Sequence, residues 1–138
     1  MTRQITTTNS NRKYLGVGQG GMVVVEPITA EIQGLFISDL VTCVGLYCTD
    51  GTKHAMIHLD QFVTPEDVND KITASKFKEI TQIIILSNQK ILEKFPATYP
   101  YYQLSLANAK QVATRLVSDQ SIIKEHSVET ETDFTGRA

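Results

Sequence analysis

The chain has 138 residues and a formal net charge of −2 at pH 7, from 13 Lys and Arg against 15 Asp and Glu. This length suits one compact domain, and the lack of a basic excess argues against nucleic acid as a partner. No apolar run is long enough to span a bilayer, and residues 1–13 lack the apolar core of a cleavable signal. We therefore expect no membrane partner and a cytoplasmic protein, or one secreted into a host cell without a cleavable signal peptide.

The first half of the chain predicts a tail and then strands. Residues 1–13 are polar without an apolar period, so we expect a mobile tail, followed by a single domain over residues 14–138. Runs of β-branched and aromatic residues predict two early strands, at residues 22–25 and 35–38. Two alternating runs flank Asp50-Gly51, a dipeptide favoured in two-residue type I′ turns, and predict a β-hairpin over residues 41–59.

The second half predicts helices mixed with strands. Thr64 and Pro65, with the acidic residues after them, are typical of a helix start. The apolar run at residues 83–86 favours a buried strand followed by a helix, although a helix over residues 75–95 also keeps a tolerable apolar period. The remaining predicted elements are a strand at residues 101–104, an amphipathic helix capped by Ser105, a strand at residues 121–130 and a frayed end at residues 131–138.

The order of these elements indicates the fold class. Strands come first, with one long antiparallel hairpin, and mixed helices and strands follow. We therefore expect an α+β fold, with a mainly antiparallel, sandwich-like sheet and helices packed on one side.

The predicted hairpin brings a cysteine and a histidine together. With Asp50 and Gly51 as the two turn residues, counting back along both strands puts Cys43 directly opposite His58. Directly opposed residues have Cβ atoms about 4.5–5.5 Å apart, close enough for the imidazole to take the thiol proton. His54 lies further along the strand and is a weaker candidate base.

The alternation of side chains sorts the hairpin into two faces. The predicted core face carries Val44, Leu46, Ala55, Ile57 and Leu59. The other face carries Cys43, Gly45, Tyr47, His54, Met56 and His58. Cys48 points to the core face, so we expect it to be structural and not to form a disulfide with Cys43. The alternative to an enzyme is a non-catalytic protein-binding module that recognises its partner through Tyr47, His54 and Met56 on an exposed face.

Two other patterns are weak. Residues 16–21 contain the spacing G-x-G-x-x-G, but a strand follows this run instead of preceding it, so we do not expect nucleotide binding. The cysteines and the histidines of the hairpin lack zinc-site spacing, and Cys48 points away from the others. We therefore predict neither a cofactor nor a metal.

The motifs of the hairpin resemble those of a known enzyme family. Residues 40–44 (Leu-Val-Thr-Cys-Val), then a hairpin, then residues 55–59 (Ala-Met-Ile-His-Leu) resemble the chemoreceptor glutamine deamidases. The upstream residues also look like the opening strands of that family, so the resemblance covers residues 14–60. The catalytic domain of cytotoxic necrotizing factor is similar in its Cys–His arrangement and in the distance from cysteine to histidine.

The resemblance implies a reaction and roles for two residues. Cys43 is the nucleophile and His58 the general base in the hydrolysis of a glutamine side-chain amide of a protein substrate, which yields glutamate and ammonia. The chemoreceptor deamidases carry a threonine where this chain has Ile37, so the third member of the site is unassigned, with Ser38 or a backbone carbonyl as candidates. The resemblance ends at Asp60, which favours a different substrate, such as a host protein if the chain is a toxin-like secreted effector. Transglutamination by the same residues stays open.

Overall fold

The structure, a computed structural model, describes residues 6–10, 14–17, 20–25, 34–37 and 42–127. The strands in these ranges are β1 (Thr6–Ser10), β2 (Tyr14–Val17), β3 (Gly21–Val25), β4 (Gly34–Ile37), β5 (Val44–Thr49), β6 (His54–Leu59), β7 (Gln82–Ser87) and β8 (Ile123–Ser127). The helices are α1 (Pro65–Ala74), α2 (Gln89–Lys94) and α3 (Tyr99–Leu116), with 3-10 turns at Pro96–Thr98 and Gln120–Ile122. Within these ranges, none of the helices combines the length and the apolar character needed to cross a membrane.

The strands form two sheets. A six-stranded sheet has the order β1-β3-β6-β5-β7-β8, and β2 pairs with β4 in a separate two-stranded sheet. The central pairs β3-β6, β6-β5 and β5-β7 are antiparallel, whereas the edge strands β1 and β8 run parallel to their neighbours. The small sheet contacts β3 and β6. The predicted α+β fold with a mainly antiparallel sheet is therefore confirmed.

One face of the six-stranded sheet packs against the helices. The helical side of this core consists of Val68, Ile72, Leu92, Tyr102, Ala109, Val112 and Ala113. The strands contribute Met22, Val24, Val44, Leu46, Cys48, Ala55, Ile57, Leu59, Ile83 and Ile85. The predicted core face of the hairpin is thus confirmed, because all five of its residues lie in this cluster. Burial of one large aliphatic side chain stabilises a fold by about 1.5–3 kcal/mol.

Helix α3 begins earlier than predicted. Residues 101–104, predicted as a strand, lie within its first turns, and Ser105 lies inside the helix, where its hydroxyl donates to the carbonyl of Tyr101 at 3.3 Å. The prediction of a strand there and of Ser105 as the cap is therefore wrong. Pro100 occupies the first turn, where its missing N–H costs nothing, and Tyr102 extends the buried face one turn upstream of Ser105. This packing overrides the β propensity of the tyrosines.

Several other predicted elements agree with the structure where it describes them. The two early strands correspond to β3 and β4, the Thr64-Pro65 start to α1, and the apolar run at residues 83–86 to β7 followed by α2. Strand β8 covers part of the predicted last strand, and residues 128–138 lie outside the described residues. Residues 6–10, predicted to belong to a mobile tail, instead pair with β3 as strand β1. Edge pairing uses backbone groups, so it requires no apolar period.

Asn108 on α3 holds the chain that follows β6. Its Nδ2 lies 3.2 Å from the carbonyl oxygen of Asp60, 3.3 Å from that of Gln61 and 3.1 Å from that of Val63. The Asp60 carboxylate in turn accepts hydrogen bonds from the backbone N–H groups of Phe62 at 2.8 Å and Val63 at 3.0 Å. These contacts tie the end of β6 to the helical layer.

We expect Asn108→Ala to lower the free energy of unfolding by about 1–3 kcal/mol, because backbone carbonyls after β6 lose their donor. Urea unfolding followed by circular dichroism measures this change. The matched control is Gln111→Ala, an exposed position on the same helix, where we expect a change within about 0.5 kcal/mol. Equal effects of the two substitutions would show that the Asn108 contacts do not stabilise the fold.

Candidate active site

The connection between β5 and β6 differs from the predicted turn. Residues 50–53 form a four-residue loop, and Thr49 faces His54. The Asp50 carboxylate accepts hydrogen bonds from the backbone N–H groups two and three residues later, at 2.8 and 2.7 Å. Within this loop only Gly51 has a positive φ, of 94°. A type I′ turn needs positive φ at both central residues, and Asp50 does not have it, so the predicted turn does not form. The side-chain hydrogen bonds of Asp50 instead accompany a longer loop.

The longer loop shifts the strand register by two residues. Gly45 faces His58, so the predicted direct opposition of Cys43 and His58 is wrong. A shift of two residues leaves every side chain on its predicted face, because successive side chains alternate between the faces. Cys43 and His58 therefore share a face as diagonal neighbours. Such neighbours lie about 7–8 Å apart, within reach of a histidine ring.

Tyr47 and His54 are also diagonal neighbours, related in the same direction along the hairpin as Cys43 and His58. The Tyr47 hydroxyl lies 2.6 Å from His54 Nδ1, and the two ring centroids are 5.9 Å apart. Side chains related by this diagonal thus meet on this face of the hairpin. Cys43 and His58 stand in the same diagonal relation across the two strands as Tyr47 and His54.

Polar side chains are buried around Cys43. Cys43 is 5% exposed and His58 is 1% exposed. Continuing the β5–β6 pairing by one residue brings Asp60, which follows β6, level with Cys43. Asp60 and Asn88, which follows β7, are both 3% exposed. The sequence did not predict that Asp60 lies near Cys43, because this proximity depends on the register of the hairpin.

The two cysteines have different surroundings, and both are free thiols. Cys48 lies in the core on the helical side of the sheet. Burial, with a further contribution from the charge of Asp50, raises the pKa of Cys48 to about 12. A thiol with this pKa stays protonated at neutral pH and is a poor nucleophile. Cys43 lies on the opposite face of the hairpin, which it shares with His58.

The alternative of an exposed binding face is contradicted by burial. Tyr47 is 3% exposed, His54 5% and Met56 0%. Burial raises the pKa of Tyr47 to about 12 and lowers the pKa of His54 below 6.5, so both side chains are neutral at pH 7. His54 Nε2 has no hydrogen-bond partner in the described part of the chain. In this structure these three side chains are not accessible to a partner protein.

Other parts of the described chain carry no comparable cluster. Among the described residues, no three His, Cys, Asp or Glu side chains come close enough to hold a metal ion. A cavity of about 470 Å³ lies beside Thr81 and the end of α3, and Thr81 adjoins the end of β5 that is remote from Cys43. Ser38, the candidate third member of the site, lies outside the described residues, as do Gly18 and Gln19 of the glycine-containing run.

We expect the stability of the fold to decrease as the pH falls below about 6.5, in part because of His54. Burial lowers the pKa of His54 in the folded state, whereas its value in the unfolded chain is about 6.5. Below that pH the unfolded chain binds more protons than the folded chain, so protonation favours unfolding. Urea unfolding across this pH range should show a shallower decrease for His54→Asn than for the wild type. The exposed His126→Asn should keep the wild-type slope, and identical slopes in all three proteins would contradict the assignment to His54.

Comparison with known proteins assigns no family to the chain. No protein-family model matches the sequence, and no curated protein matches it significantly.

Proposed function

We propose that this protein is a cysteine-dependent protein-glutamine deamidase, an amidohydrolase with Cys43 as nucleophile and His58 as general base. The observation that carries the proposal is the placement of both residues, buried, on one face of the β5–β6 hairpin. The contact between Tyr47 and His54, which are related by the same diagonal, supports a thiol–imidazole contact. The resemblance of residues 14–60 to the chemoreceptor deamidases supports the choice of substrate.

The proposed reaction has two steps, which share one thioester intermediate. His58 takes the proton of the Cys43 thiol, and the thiolate attacks the carbonyl carbon of the glutamine side chain. The C–N bond then breaks, and His58 gives its proton to the departing ammonia, which leaves an acyl group on Cys43. Water attacks this thioester while His58 takes a proton from the water, and as the C–S bond breaks His58 gives that proton to the Cys43 sulfur, which yields glutamate and the free thiol.

The surroundings of the thiol bear on substrate entry. Cys43 is almost fully buried, so a glutamine of a protein substrate reaches the sulfur only if the residues that cover it move aside. Once it is bound, low access to water strengthens the hydrogen bonds of the site and limits competing reactions. The same thioester would react with an amine in place of water, which is transglutamination.

We expect the Cys43 thiol to titrate below the ordinary cysteine pKa of about 8.5, because His58 stabilises the thiolate. Alkylation of the Cys43 peptide by iodoacetamide, followed by mass spectrometry as a function of pH, measures this titration. His58→Ala and His58→Gln should both move the curve to higher pH and slow the reaction at neutral pH. Cys48→Ser should leave the curve unchanged, because the Cys48 thiol is buried and protonated. A wild-type curve that coincides with the His58 variants would refute the pair.

We expect the wild-type protein to convert specific glutamines to glutamates when it is incubated with cell lysates. Mass spectrometry of the lysate proteins detects the conversion. Cys43→Ser should abolish the conversion, whereas the matched variant Cys48→Ser should retain it. Conversion that persists in Cys43→Ser would overturn the proposed reaction. The absence of any conversion by the wild-type protein would overturn it as well.

A further inference from the structure

We infer that the protein forms a symmetric dimer, in which an exposed apolar surface around the first turns of α3 contacts the same surface of a second copy of the chain. Among the residues that the structure describes, five large hydrophobic side chains remain exposed, by 44–56%, and they define this α3-start surface: Phe62, Phe95, Tyr99, Tyr101 and Leu104. Exposed apolar surface that is concentrated in one place is typical of an interaction site. The inference does not depend on the proposed reaction.

Three of these side chains lie together on one side of α3. Tyr101 and Leu104 are three residues apart in the helix, so they share a side. Asn108 follows one turn after Leu104 on that side. Its Nδ2 contacts the carbonyl oxygens of the residues just before and just after Phe62, at 3.3 and 3.1 Å. Phe62 is therefore held beside this side of the helix.

Phe95 and Tyr99 extend the α3-start surface to the beginning of the helix. The backbone N–H and the hydroxyl of Thr98 both donate to the Phe95 carbonyl, at 3.0 and 2.7 Å. These hydrogen bonds fix Phe95 one turn before Tyr99, the first residue of α3. The ring of Tyr99 lies 5.8 Å, between centroids, from the ring of Tyr102, which is part of the core. The surface is thus backed by packed residues, and ordering it in a complex costs little conformational entropy.

The area of the α3-start surface matches the apolar part of a dimer interface. A fully exposed aromatic side chain offers about 150–250 Å², so five large side chains that are about half exposed offer roughly 500 Å². A stable interface buries about 800 Å² on each partner, of which about 56–65%, or roughly 450–520 Å², is apolar. One copy of the chain therefore already exposes the apolar area that its half of such an interface requires.

The charges in and around this surface favour a second copy as the occupant. Residues 95–109 contain no Asp, Glu, Lys or Arg, so the surface has nothing that would select a charged partner. In a two-fold contact the same patch occurs on both sides, and a charge in it would be brought near its own copy. Glu93 and Lys94, at the border, are exposed and have opposite signs. The borders of two copies are therefore electrostatically compatible.

We expect the full chain to dimerise with a dissociation constant on the order of 1–100 µM, at the weak end for an interface of this size. Sedimentation velocity over a concentration series measures this constant. Leu104→Glu should raise it about 100-fold, because each dimer loses two leucine contacts and gains two carboxylates in an apolar interface. Tyr101→Lys, which adds a charge of the opposite sign, should weaken the dimer in the same direction.

Gln82→Glu is the matched control. It adds the same charge as Leu104→Glu at an exposed position, on β7 next to Thr81. Thr81 borders the cavity at the far end of α3, so Gln82 lies away from the α3-start surface. The control should keep the wild-type dissociation constant. Circular dichroism and urea unfolding verify that each variant folds, as expected for substitutions of side chains that are at least half exposed.

The outcomes separate a second copy from other occupants. Loss of the dimer in Leu104→Glu and Tyr101→Lys, with the dimer kept in Gln82→Glu, supports the inference. A wild-type protein that is monomeric up to about 1 mM, well above the expected dissociation constant, would overturn it. A dimer that all three variants leave intact would also overturn it, because its interface would lie elsewhere. A monomer that sediments with phosphatidylcholine–phosphatidylserine vesicles, and loses this binding in Leu104→Glu, would reject the second copy in favour of a lipid surface.

Discussion

Burial of the β5–β6 hairpin on both of its faces is the constraint on which the rest of the structure depends. Every residue of these two strands is buried, although strands covered on both sides are usually apolar. The hairpin nevertheless carries Thr49, His54 and His58, and buried polar groups require hydrogen bonds. The contact of Tyr47 with His54 meets part of this requirement. Strands β3 and β7 flank the hairpin, and the edge strands are added to them.

The same arrangement concentrates chemically useful groups at one end of the sheet. Both neighbours of β5 run antiparallel to it, so the ends of β6 and β7 lie beside its beginning. Asp60, which follows β6, therefore lies beside Cys43, and His58 lies one step into the sheet. Asn108 strengthens this end of the fold by holding the chain after β6. The cavity beside Thr81 lies near the other end of β5 and contains none of these groups.

Part of the candidate site could be predicted from the sequence, for identifiable reasons. Cys43 and His58 stand out because a thiol and an imidazole share one face of a hairpin, and the face of a residue follows from a period of two. The register could not be predicted from residue types. The Asp50 side chain hydrogen-bonds within its own loop, and a four-residue loop stands in place of the favoured two-residue turn. The start of α3 was missed because buried packing at Tyr102 outweighs local propensity.

The sequence by itself determined the α+β class, the location of the central hairpin and the assignment of its side chains to two faces, because local periodicity sets side-chain direction. Only the tertiary structure decided that the second face is buried, since the covering segments come from other parts of the chain. It also decided that Cys43 and His58 are diagonal neighbours and not direct partners. That difference comes from hydrogen bonds in a four-residue loop, whose energies of about 1 kcal/mol each are too small to be recognised from residue types alone.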